Sequence, residues 1–146
     1  MAALYRSMHA SGEYPTVGTG NDQLGSRATD VLMDNDGNVL PGEGISVNIC
    51  ACQMPPHLVP FRLQHIFGHA TGHGSRSGLI VWRHGEGPYV SDGIGGKLHA
   101  RLGRSHGLVE PTKIMPKAEF DAALADTQCD WQIDENHSSN CKMGDY

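Results

Sequence analysis

Residues 105–131 read SHGLVEPTKIMPKAEFDAALADTQCDW, and they join a short apolar strand to the clearest helical pattern in the chain. Gly107-Leu108-Val109 predicts a strand, which Pro111 is expected to stop because proline has no N–H to give to a ladder. Beyond it the spacing predicts a helix from Pro116 to Trp131. Proline suits a first helical position, and Phe120, Leu124, Thr127 and Trp131 recur at three- and four-residue steps on one face. Ala122, Ala123 and Ala125 favour that helix, and Lys117 and Asp121 stand four apart, so they can pair on its wet face. The expected packing sets Phe120, Leu124 and Trp131 against a sheet. His106, just before the strand, is placed to point into a cleft, and Glu110 brings a carboxylate to the strand's far end. A histidine beside a strand is also a common surface or satisfied core residue.

Working outward, the chain has 146 residues, which suits one domain with a single core. Hydrophobic residues make up 38% and aromatics 6%, with 19 glycines, so a modest core and many loops are expected rather than a helical bundle. The formal charge of −5 gives no general basic field, which argues against duplex nucleic acid as a partner. Arg101 and Arg104 could still form a local basic patch. No run approaches the roughly twenty apolar residues of a membrane span, and the start, MAALYRSMHASGEY, lacks the apolar segment of a secretory signal. The expectation is a chain made in a cytoplasm, with no membrane partner.

Cys50, Cys52, Cys129 and Cys141 are expected to be reduced thiols. The one-residue gap between Cys50 and Cys52 is too short for the usual zinc spacing. His65, His69 and His73 have a period a helix would align, but Gly68, Gly72 and Gly74 oppose a helix, so these are read as loop histidines and no metal is expected.

Near the start, Leu4-Tyr5-Arg6 is a short apolar approach to an arginine. Gly18-Thr19-Gly20-Asn21-Asp22 follows as a loop over a pocket; no strand–helix context makes it a nucleotide fingerprint. Asp34-Asn35-Asp36-Gly37-Asn38 supplies hairpin turn chemistry between Val31-Leu32-Met33 and Val39-Leu40. Ile45 to Ile49 alternates, with Ile45, Val47 and Ile49 on one face and Ser46 free to meet a cleft on the other. Ser46 has no base beside it in sequence, so ligand binding suits it better than nucleophilic attack. Met54 to Pro60 carries three prolines and reads as a connection. Leu79-Ile80-Val81-Trp82 is the strongest strand and should be buried on both faces; Tyr89-Val90 is expected to return beside it. Leu98 to Leu102 is one more strand leading to His106. The whole reads as α+β, a mostly antiparallel sheet with a C-terminal helix, in one domain over 1–133 followed by a polar, flexible tail over 134–146.

Three stretches in this order resemble the small bacterial ADP-ribosyltransferase-like toxins, a family that includes a type VI secreted effector of pseudomonads. They are Leu4-Tyr5-Arg6, then Gly44-Ile45-Ser46-Val47 with proline and histidine around Leu58, and finally His106-Gly107-Leu108-Val109-Glu110-Pro111 with Met115, Phe120, Leu124, Thr127 and Trp131. The likeness spans Ala3 to Trp131, and the closing pattern is its most specific part. Phe67 to Gly78 and Gly85 to Gly96 fall outside it, and the chain has no Glu-x-Glu or Gln-x-Glu pair.

The resemblance implies a split, two-sheet NAD-binding core, with Arg6, Ser46 and His106 lining the nicotinamide cleft. It implies an NAD-using toxin or effector that transfers ADP-ribose to an undefined acceptor or hydrolyses NAD, delivered into a target cell's cytoplasm and opposed by an immunity protein or antitoxin. Arg6 would meet the pyrophosphate and Ser46 would fix the nicotinamide ribose. Glu110 would stabilise the cation formed as the glycosidic bond breaks, with Glu135 the more remote candidate. His106 would hydrogen-bond a ribose hydroxyl or act as a base, since imidazole titrates near neutrality. Two other readings stand beside this one. A degenerate fold would make a binding module without catalysis, and the histidines between 57 and 73 would be needed for a metal-dependent hydrolase.

Overall fold

In the computed structural model the described residues are 4–49, 54, 58–60, 63, 78–84, 97–103 and 106–135. Their elements, in chain order, are β1 (Leu4–Met8), β2 (Ala10–Ser11), β3 (Tyr14–Pro15), β4 (Asn38–Val39), β5 (Ile45–Asn48), β6 (Ile80–His84), β7 (Leu98–Leu102), β8 (His106–Pro111), β9 (Met115–Pro116), helix α1 (Lys117–Ala125) and β10 (Trp131–Ile133). Six strands form one sheet in the order β10-β6-β1-β5-β8-β7, and every pairing in it is antiparallel. The fold is α+β, as the sequence predicts. Tyr89-Val90, His57, His65, His69, His73, Arg104, Cys50, Cys52 and Cys141 lie outside the described residues. Cys129 is exposed and forms no disulfide.

Alternation sets the core. Leu4 and Met8 of β1, Ile45 and Val47 of β5, Trp82 of β6, Leu98 of β7 and Val109 of β8 turn to one side, where Phe120, Ala123 and Leu124 of α1 close over them with Trp131. Each fully buried large side chain contributes about 1.5–3 kcal/mol. Trp82 is also fixed in direction, because its Nε1 donates to the Met8 carbonyl at 3.1 Å. At Gly44 a side chain would collide with the Val109 carbonyl, so glycine lets β5 begin close against β8.

Three local expectations change. The helix stops at Ala125 instead of reaching Trp131: the Asp126 N–H closes on Ala122 O, the Thr127 hydroxyl takes Leu124 O at 2.6 Å, and a 3-10 turn over Gln128–Asp130 leads into β10. Trp131 is buried all the same, as the first residue of a strand paired with β6, with its Nε1 donating to Thr127 Oγ1 at 3.1 Å. Turn and strand bury the indole in the same core as Phe120 and Leu124, which is why the helical spacing misleads. Pro116 stands at the N-cap with extended backbone, not at the first helical position. Pro111, opposite Leu98, is the last residue of β8, so the strand stops at the proline as expected. Lys117 and Asp121 do pair, at 2.7 Å, but with side chains only 19% and 18% exposed.

The Asp34 turn is present: its Oδ1 accepts from the N–H groups of Asp36 and Asn38, both at 2.9 Å, and Gly37 takes a positive φ of 81°. Met33 bridges Val39 across it, and Val39 pairs in turn with Met115 of β9. At the far edge, residues 134 and 135 continue along β6, since Asp134 N–H donates to Val81 O and Val81 N–H to Glu135 Oε2. Among the described residues no helix is long and apolar enough to cross a membrane.

Candidate ligand-binding cleft

Strand β1 has two unlike edges. All five of its residues pair along β6, whereas β5 meets it in register at one position, Tyr5↔Asn48. Beside that pair the Arg6 side chain reaches across: Nη1 donates to the Ser46 carbonyl at 2.7 Å and Nη2 to the Gln23 carbonyl at 3.2 Å. The guanidinium thus joins β1, β5 and the 18–25 loop at one point. Both of these acceptors are neutral carbonyl groups.

Two cavities meet there. The larger, about 400 Å³, is walled by Arg6, Asp22, Arg27, Glu43, Ser46 and Leu108 among others. The smaller, about 210 Å³, is walled by Arg6, Ser7, Asp22, Ser46, Asn48, Met54, Leu58 and His106. Arg6, Asp22, Ser46 and Leu58 belong to both. Ser46 is exposed between buried Ile45 and Val47, as its alternating strand requires. His106 reaches the smaller cavity because β8 pairs His106 with Asn48 and Leu108 with Ser46, putting these residues on one face. The structure therefore brings Arg6, Ser46 and His106, from three strands, to one concavity. Near them, Ser7 Oγ donates to Leu58 O at 2.6 Å and ties β1 to the proline-rich connection.

Glu110 stands elsewhere. It follows Leu108 on the same face of β8 but lines neither cavity, is only 3% exposed, and binds Arg101 of the edge strand at 2.9 Å. Its Oε2 is buried and has no hydrogen-bond partner among the described residues. Such an orphaned acceptor costs about 1–3 kcal/mol. Arg101, expected in a basic patch, is thus engaged with an acid. Glu135 is held at the other edge of the sheet against Val81.

The larger cavity has mixed charge. Arg27 grips Asp30 in a fork, Nε to Oδ2 at 2.6 Å and Nη2 to Oδ1 at 3.0 Å. That hydrogen bonding and the charge of Asp30, with a lesser contribution from Asp22, raise the Arg27 pKa above its ordinary value. Glu43 Oε1 accepts from the Leu32 N–H at 2.7 Å. The loop carrying Asp22 is fastened to α1, where Ser26 gives both its N–H and its hydroxyl to Asp121 Oδ1, at 2.8 and 2.6 Å. Asp121 therefore does more than pair with Lys117 on a wet face. Sequence reading passed over Arg27 and Glu43, and it placed Asp22 only in a loop over a pocket. The Asn21-Asp22 pair was the available signal, since these residue types accept left-handed backbone.

In comparison with known proteins, the chain matches no family model, no curated protein and no solved structure. Among the described residues no group of histidine, cysteine and acidic side chains is arranged to hold a metal.

Proposed function

We propose that this chain is an NAD-using toxin or effector of the ADP-ribosyltransferase-like kind, transferring ADP-ribose to a macromolecular acceptor or hydrolysing NAD. The observation that carries the reading is the convergence of Arg6, Ser46 and His106 on one cavity at the loosest pairing of the sheet. On this reading β10-β6-β1 and β5-β8-β7 are the two halves of a split core, and a cognate immunity protein would act by covering the cleft between them. Combined, the cavities fall within the usual size of small-molecule sites. Two arginines suit a pyrophosphate, and hydroxyl and imidazole groups suit a ribose.

The reaction asks little covalent chemistry of the protein. The bond from ribose C1′ to the nicotinamide nitrogen breaks, and its electron pair leaves with nicotinamide. Water or an acceptor group then bonds to C1′ and loses a proton. The cleft must hold the two halves of NAD and stabilise positive charge on the ribose. Arg6 would hold the phosphates, Ser46 would orient the nicotinamide ribose, and His106 would bond a ribose hydroxyl or receive the proton; Glu110, buried against Arg101, stands outside the cleft.

One observation favours a second reading, a binding module without catalysis. Arg6 already ties three segments together through carbonyl groups, and Glu110 lines neither cavity. The deciding experiment incubates the purified chain with NAD and follows free nicotinamide, with calorimetric titration in parallel. Release at a rate proportional to enzyme concentration is expected. Binding without release selects the module, and neither binding nor release by the folded chain removes NAD altogether.

A further inference from the structure

We propose that Asp22 is the carboxylate this cleft presents to its ligand. In its chemical detail this rests on the NAD reading, but the placement of the side chain does not. Asp22 lines both cavities, together with Arg6 and Ser46. The other two acids of the larger cavity are already engaged, Asp30 by the Arg27 fork and Glu43 by the Leu32 N–H. No hydrogen bond or ion pair involves the Asp22 carboxylate among the described residues, and its charge acts on Arg27 from a distance.

Its backbone is held in a conformation that side chains seldom adopt, with φ at 56°. The surroundings impose it. His9 N–H donates to Asp22 O at 3.0 Å, Arg6 Nη2 to the next carbonyl, Gln23 O, and Leu24 N–H to Thr16 O at 2.8 Å. A loop fixed on both sides of an unpartnered carboxylate, at the seam of two cavities, keeps that carboxylate for something outside the protein. With NAD bound, it would stabilise the cation on the ribose as the electron pair leaves with nicotinamide. It would then receive the proton of the water or hydroxyl that bonds to C1′, and pass it to solvent. Glu110, buried and bound to Arg101, would not take part.

The test compares Asp22→Asn with Glu110→Gln. Asparagine keeps the shape and tolerates left-handed backbone, so Asp22→Asn is expected to melt no lower than the wild type. It should bind NAD within ~3-fold and release nicotinamide roughly 10²- to 10³-fold more slowly, as when one preorganised charge-stabilising group is removed. Glu110→Gln, where folded, should keep most of its turnover. Retained turnover in folded Asp22→Asn overturns the proposal, as does loss confined to folded Glu110→Gln. Thermal melting separates this failure from failure of the NAD reading. Should the wild type neither bind nor cleave NAD while Asp22→Asn is undiminished in stability, NAD falls and a carboxylate without structural duty remains. A clearly lowered melting temperature for Asp22→Asn makes the carboxylate structural, and Asp22 is overturned whether or not NAD is used.

Discussion

The two edges of β1 are built from the same five residues yet do different work. Towards β6 the ladder is complete and Trp82 is locked beneath it by a hydrogen bond to Met8. Towards β5 the register holds at Tyr5↔Asn48, and the connection is continued by a side chain, Arg6 to the Ser46 carbonyl. A backbone ladder is satisfied internally and excludes ligands, whereas a side-chain bridge leaves room beside it for two cavities. One edge supplies stability and the other supplies the cleft.

The contrast breaks first if the closed edge proves dispensable. Trp82→Ala should cost about 3–5 kcal/mol of stability, the range for truncating a buried aromatic, measured by denaturant unfolding. A loss below ~1 kcal/mol would show that β6 is not the anchor. At the open edge the effect should fall on the ligand. Arg6→Ala is expected to weaken NAD binding by roughly 1.5–3 kcal/mol, the worth of a charge-assisted hydrogen bond, read by calorimetry. Ser46→Ala should spare binding and lower turnover, because a hydroxyl that orients ribose matters most as the glycosidic bond lengthens. Equal losses of binding in the two variants would mean that the Ser46 hydroxyl holds the ground-state ligand as firmly as Arg6 does.

The smallest effect belongs to the Asp34 turn, remote from both edges. Backbone N–H donation, first from Asn38 and then from Asp36, favours the ionised carboxylate and lowers the Asp34 pKa from its ordinary 3.8. A depressed folded-state value means that the carboxylate stabilises the fold at pH above 3.8 and loses that contribution as the pH falls through the lower folded value. NMR titration should place Asp34 below 3.8, and Asp34→Ala should flatten the acid limb of the stability curve. An unshifted titration would remove the turn's hydrogen bonds from the account.

The strands were legible wherever one face had to be buried. The alternation Ile45-Ser46-Val47 announced both the inward pair and the exposed serine, and the apolar run ending at Trp82 announced an interior strand. Asp34 to Asn38 announced its own turn, because Asx side chains and glycine act on neighbouring backbone. The helix was legible at its start and misread at its end. Thr127 and Trp131 keep helical spacing while a 3-10 turn and a strand carry the second of them.

By itself, then, the sequence determined local conformation and the burial of each face, since those follow from side chains within a few residues of one another. Only the tertiary structure decided the strand order that sets β1 between β6 and β5, the meeting of Arg6, Ser46 and His106, the withdrawal of Glu110 behind Arg101, and the placement of Asp22 at the seam of the two cavities. Apart from the Arg101–Glu110 pair, whose partners stand nine positions apart on neighbouring strands, each depends on pairings between residues forty or more positions apart, or on a loop fastened to a distant helix through Ser26 and Asp121. Such pairings are chosen by the fit of whole faces and by loop closure, and no short window of sequence contains both partners.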